Sequence, residues 1–280
     1  MTARRTQRVL VVGSITRDTN IFDGVAQHSY GGTALYAACT YAEFGIDVRL
    51  VTRLAPDDRA AIAGQLPNGE LIAQPSDVTT TFENSYGRDD ERTQRVAAIA
   101  APIEHRADYF ADVDWLHLGP LHPADLADAW LTQHAGKPVG LDLQGFARRI
   151  ADERVIADID ARIVDLLPRL QWLKASRSEW HPLLAHLHLS QTSRPTRGAV
   201  ESLVTDGAAG GDLLHGEARA THWVAAPPVE HCDPTGAGDV FFAAYLVHRA
   251  GYGADAALAA KNAARITSAF LLKRRHRSDR

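Results

Sequence analysis

The sequence predicts an α/β fold: a doubly wound, mainly parallel sheet flanked by helices, with a small β lid. Three observations carry that prediction. Short β-branched or apolar runs alternate with stretches of helical period, the order that yields parallel strands joined by helical crossovers. One region, residues 79–99, breaks the rhythm with two strand-like runs joined by a polar turn. Late in the chain, a glycine-rich turn stands directly before a long helical pattern.

In chain order, the first strand is expected over residues 9–15, followed by a helix over 33–44 that Gly45 ends. Further strands are expected at 48–53, 115–118, 139–142, 172–174 and 202–205, most of them separated by helical segments. Residues 79–86 and 93–99 read as a β-hairpin across the turn 87–92. Its alternation is only partly apolar, which suits a ribbon standing off the main body with one face toward a cleft. The lid is accordingly placed at about 16–31 and 77–101. An ordinary edge hairpin is the plainer alternative.

A chain of 280 residues that is 45% hydrophobic and 23% charged can bury one large core, so a single domain over 1–280 is expected. The formal charge of -4 gives no general reason to expect nucleic acid or an anionic membrane as partner, and favours a small-molecule substrate. Only Cys39 and Cys232 are present, so neither a disulfide framework nor a cysteine-rich zinc site can be built. The basic N-terminal start precedes an apolar run too short for a signal peptide, and no segment offers the roughly 18 apolar residues of a membrane span. A soluble, cytoplasmic protein is expected. The C-terminal KRRHRSDR reads as a solvated, frayed tail without a function.

The chemistry concentrates in Asp233-Pro234-Thr235-Gly236-Ala237-Gly238-Asp239, which runs straight into the helical VFFAAYLVHRAG. Glycines permit positive φ and bring bare N–H groups close to a ligand, and a helix start adds roughly half a positive charge. The result is an anion hole. An acid in a first helical turn is by itself ordinary, since it stabilises the helix by ~0.3–1 kcal/mol. Two aspartates bracketing this turn at the end of an α/β chain are not ordinary.

The stretch resembles the second signature of the ribokinase-like (PfkB-type) carbohydrate kinases, and the resemblance extends over nearly the whole chain. It implies ATP-dependent transfer of a phosphoryl group to a hydroxyl, with Asp239 as general base and Gly236, Ala237 and Gly238 as backbone donors. It further implies that Asp18, in VVGSITRD, accepts hydrogen bonds from substrate hydroxyls. Gly31-Gly32 resembles the family's substrate loop, with Tyr36 in place of the asparagine usual a few residues later. Thr205, Gly207 and Gly210 match its nucleotide loop, and Asn262 falls where family members flank the adenine. Ser176-Arg177-Ser178-Glu179 stands at the family's Asn-x-x-Glu motif, which implies that Glu179 helps hold Mg2+ through water; the asparagine is absent. Ser176 and Glu179 also read as a helix cap and first-turn acid. Asp233 and Thr235 match positions that line a monovalent-cation site in some members, so K+ is a further expectation.

TTTFENSY, DERTQRVAAIAAPI, LDLQGFAR and LLPRLQWLKAS are similar to plant-type inositol kinases, which makes an inositol-like polyol the favoured acceptor and adds Asp142 and Arg148 as substrate-site candidates. A homodimer through the lid is a further implication of the family. Two rivals stay open. A nucleoside kinase would need a base slot, for which Tyr36, Phe82 and Tyr86 are the candidates; a non-catalytic ligand sensor on the same fold has the missing asparagine in its favour. His181, His186 and His188 lack the spacing of metal ligands on one helical face.

Overall fold

The computed structural model describes residues 6–22, 25–86, 92–190, 201–215, 220–224, 227–229 and 232–278. Strand β1 (Arg8–Gly13) leads into β2 (Thr16–Phe22), β3 (Val25–Gly31), helix α1 (Thr33–Glu43), β4 (Asp47–Leu54), α2 (Arg59–Gln65) and β5 (Glu70–Pro75). Next come β6 (Thr80–Tyr86), β7 (Arg92–Ala98), β8 (Trp115–Gly119), α3 (Ala129–Thr132) and β9 (Val139–Asp142). They are followed by β10 (Arg148–Ala151), β11 (Arg154–Ala157), α4 (Ile163–Leu166), β12 (Trp172–Ser176) and α5 (Arg177–His186). The chain continues through β13 (Glu201–Thr205), β14 (Gly211–His215), β15 (Thr221–Trp223), α6 (Ala237–Leu246) and α7 (Ala256–Ser278).

The main sheet has the order β15-β14-β13-β12-β9-β8-β1-β4-β5. From β13 to β5 all neighbours are parallel, and β14 and β15 add an antiparallel edge. Successive side chains of a strand point to opposite faces. In β1, Val9 and Val11 therefore join one core with α1, α6 and α7, while Leu10 and Val12 join a second core with Trp130 of α3 and Leu183 of α5. With both faces covered, these strands are largely buried, and the apolar runs within them were legible in the sequence.

The second sheet has the order β10-β11-β7-β6-β2-β3. Strands β2 and β6 pair in parallel, with Thr16 opposite Thr80, and the remaining pairs are antiparallel. Its apolar content is small: Phe82 and Val96 pack with Leu121, Ile150 and Val155. The sequence boundaries of 16–31 and 77–101 omit β10 and β11, which add residues 148–157 to this sheet. Each is only four residues long and carries arginines and half-exposed positions, so neither displays a strand signal of its own. The turn expected at 87–92 lies, apart from Arg92, outside the described residues.

Candidate active site

The parallel strands β9, β12 and β13 deliver Asp142, Ser176 and Thr205 at their C-terminal ends, where open α/β sheets bind ligands. These ends, the second sheet and the turn before α6 enclose a cleft of about 920 Å³. A second cavity of about 310 Å³ adjoins it and shares Thr205, Cys232, Pro234 and Gly238 as lining.

The turn between the cavities is built by local hydrogen bonds. Thr235 N donates to Asp233 Oδ1 (2.9 Å), Ala237 N to the Pro234 carbonyl (3.0 Å) and Val240 N to the Gly236 carbonyl (2.9 Å). Gly236 caps α6 with a left-handed φ of 83°, and a Cβ there would also lie 2.8 Å from the Tyr36 ring. Glycine is thus required twice over. Ala237, expected to donate to an anion, instead closes the turn back on Pro234, which leaves Gly236, Gly238 and the dipole of α6 to face an anionic group.

Asp239, in the first turn of α6, is 9% exposed. Burial, reinforced by the nearby Asp142 carboxylate, pushes its carboxyl up to about 7, while Lys174 and Arg148 pull the other way. Lys174 Nζ bonds Asp142 Oδ2 at 2.9 Å in a pair that is almost wholly buried. Burial alone would lower the lysine, but Asp142, Glu179 and Asp239 outweigh it and hold Lys174 above its ordinary value. Arg148 lines the same cleft.

Across the cleft stands the second sheet. Asp18 lines it from β2, its Oδ2 accepting from Thr16 Oγ1 (3.1 Å), and Gly31 passes so close that a Cβ would lie 2.8 Å from that oxygen. Gly32 and Tyr36 also line the cleft. A row of amides runs over this face: Gln94 Nε2 donates to Asn84 Oδ1 (3.0 Å), Asn84 Nδ2 to Asn20 Oδ1 (2.9 Å) and Asn20 Nδ2 to Ser29 Oγ (3.3 Å). The sequence reading missed this row, although its alternation along adjacent strands was the available signal. Of the expected base slot, Phe82 lines the cleft while packing with Val96 and Leu121, and the Tyr36 ring, also on the cleft, packs on Phe270; the Tyr86 side chain lies outside the described residues.

On the other side, Thr205, Gly207 and Gly210 line the smaller cavity together with Trp223, Phe241, Ala264, Thr267, Ser268 and Leu271. Asn262 is not brought there. On α7 the positions 264, 267, 268 and 271 share one helical face, whereas the Asn262 amide lies toward His248 at 3.5 Å. Glu179 lines the larger cleft and caps α5, accepting from Ser176 N at 2.7 Å in a capping box.

Arg274 corrects the reading of the C-terminal tail. α7 continues through it, and its guanidinium donates to Asp233 Oδ2 (2.5 Å) and the Thr235 carbonyl (2.5 Å), with Phe270 beneath it at 5.5 Å. Both groups expected to ligate a monovalent cation are therefore already engaged by a cation. The missed Lys174 had a signal as well, because a lysine inside the apolar strand WLKAS violates the pattern of a buried parallel strand. Among the described residues no group of three His, Cys, Asp or Glu could hold a metal, and no helix is long and apolar enough to cross a membrane. Cys39 and Cys232 are free thiols.

Known proteins match this architecture. A structure of a pyrophosphate-dependent kinase in the ribokinase family, complexed with a pyrophosphate analog and myo-inositol, superposes with a TM-score of 0.76 at 20% identity, covering 94% of each chain. Arabidopsis thaliana ribokinase complexed with ribose and ATP gives 0.71 at 18% identity over 94% of this chain and 92% of that one. Methanocaldococcus jannaschii nucleoside kinase gives 0.69 at 14% identity over 95% and 92%. No curated protein matches the sequence. The pfkB family carbohydrate kinase profile spans residues 6–278, nearly the whole sequence, and with the turn, cleft and two-sheet fold described above it makes the chain a member of that family.

Proposed function

We propose that the protein transfers the γ-phosphoryl group of ATP to a hydroxyl of a small polyol or sugar, with an inositol-like acceptor favoured. The observation that carries this reading is the position of Asp239. It lines a polar cleft suited to a polyhydroxylated ring, and its neighbour Gly238 lines both that cleft and a smaller, mostly apolar cavity suited to a purine. About 310 Å³ lies at the lower end of small-ligand pockets.

In this account Asp18 and the amides of Asn20, Asn84 and Gln94 accept and donate hydrogen bonds to the acceptor's hydroxyls. Tyr36 closes one side. Asp239 takes the proton of the attacking hydroxyl, and a carboxyl near pH 7 is well placed for that task. Gly236, Gly238 and the α6 dipole steady the phosphoryl oxygens. Thr205, Gly207 and Gly210 hold the donor, whose base enters the cavity beside Ala264 and Leu271. Mg2+ suits a site with a single acid, Glu179, because it keeps its waters and binds chiefly through substrate phosphates, whose charge it neutralises.

Pyrophosphate is the competing donor, since it serves the myo-inositol kinase of similar fold. The apolar cavity favours ATP, because pyrophosphate would leave it without an occupant. A polyol is favoured over a nucleoside because Phe82 and Tyr36, the aromatic rings on the cleft, are each packed against other apolar side chains, whereas the amide row offers polar partners for hydroxyls. Turnover should be followed by 31P NMR with ATP or pyrophosphate against inositols, sugars and nucleosides. ATP with a polyol is expected to be the fastest pair. A preference for pyrophosphate or for nucleosides would overturn the assignment, and no turnover with any pair would favour the ligand sensor.

A further inference from the structure

Strand β12 lies between β9 and β13 in the middle of the parallel sheet, and Trp172, Leu173 and Ala175 are buried apolar residues. Lys174 breaks the pattern. Burying an ammonium is costly, and a strut between β9 and β12 would be made at least as well by an apolar pair. The location supplies a reason. A Cβ on Gly238 would lie 2.9 Å from Lys174 Nζ, so the ammonium sits against the turn that faces the phosphoryl group, and it lines the cleft.

We infer that Lys174 is the resident cation of the transfer centre: a positioning residue that, held by Asp142, favours the ionised form of Asp239 and sets positive charge under the anion turn. The inference rests on the kinase reading for its purpose, and on the buried Asp142–Lys174 pair for its geometry.

The groups that face Asp239 include Asp142 at the end of β9, Lys174 in β12, Arg148 at the start of β10, and the Thr33 hydroxyl and Tyr36 phenol of α1. Asp142 opposes ionisation of Asp239, and Lys174 and Arg148 favour it. Removing Lys174 leaves two buried carboxylates with one fewer cation to balance them, so Asp239 should hold its proton to higher pH. Removing Asp142 should do the reverse. A strut would give both variants the same defect, a loss of stability, with no movement of Asp239 in opposite directions.

The test is a 13C NMR titration of the Asp239 carboxyl, assigned with Asp239→Asn, in the wild type, Lys174→Met, Asp142→Asn and the double variant, without substrates. The wild-type midpoint is expected at about 7. Lys174→Met should raise it, and Asp142→Asn lower it, by at least about one pH unit each. The acidic limb of turnover should follow, lowering the Lys174→Met rate at pH 7 at least about fivefold. Should Lys174→Met fail to fold, the double variant removes both members of the buried Asp142–Lys174 pair and so leaves neither without its partner, and its midpoint should exceed that of Asp142→Asn by a similar amount. A midpoint that stays put on removal of Lys174 overturns the inference. Midpoints that move as expected in a protein that phosphorylates nothing would support the charge coupling and overturn the functional reading instead.

Discussion

Replacing Asp239 by asparagine should stabilise the folded protein above neutral pH while it destroys the proposed activity. The carboxyl, 9% exposed, rises from the usual 3.8 to about 7 through burial and the Asp142 charge. At about 1.4 kcal/mol per pH unit, holding it ionised in the fold costs on the order of 4 kcal/mol. Between pH 4 and 7 the folded chain keeps a proton that the unfolded chain has released, so this group's contribution lowers stability as pH rises through the window. Below pH 4 both states are protonated and the asparagine variant gains nothing. Above pH 7 it gains most of the roughly 4 kcal/mol, less whatever the new amide loses by burial without partners. Urea unfolding of both proteins at pH 4 and pH 8 measures the difference. A variant that is equally or less stable than wild type at pH 8 would refute the claim that Asp239 is a strained, buried acid.

Other substitutions separate the two halves of the site. Asp18→Ala should weaken acceptor binding by about tenfold or more and leave ATP binding within about twofold, as read by calorimetry; unchanged acceptor affinity in the folded variant would remove Asp18 from the site. Ala264→Phe should fill the apolar cavity and raise the KM for ATP about tenfold with little change for the acceptor; an unaffected ATP KM would place the base elsewhere. Rates should be equal in sodium, potassium and tetramethylammonium salts, because Arg274 already holds Asp233 and Thr235. Marked activation by potassium alone would contradict that.

The alternation of apolar runs and helices was enough to reveal the parallel sheet, because β1, β4, β8, β9, β12 and β13 are buried on both faces. The turn 233–239 was legible because its glycines and acids are local in sequence. What escaped was either short or long-range. β10 and β11 become strands only by pairing with each other and with β7. Arg274 meets Asp233 across 41 positions, and nothing in a basic tail announces that contact. Asn262 was chosen by its place along α7, but the face that reaches the cavity is two residues further round, at Ala264. The amides of Asn20, Asn84 and Gln94 form a row only once β2, β6 and β7 are in register.

The most direct test of the account is the turnover of Asp239→Asn at saturating Mg-ATP, with the best acceptor, on protein shown to be folded by its melting transition. The amide keeps the volume of the carboxylate but cannot take the hydroxyl proton. The account predicts a loss of about 10² to 10⁴ in kcat with ATP affinity preserved, and a wild-type rate that falls as the pH drops below about 7. An asparagine variant that turns over at close to the wild-type rate would contradict it.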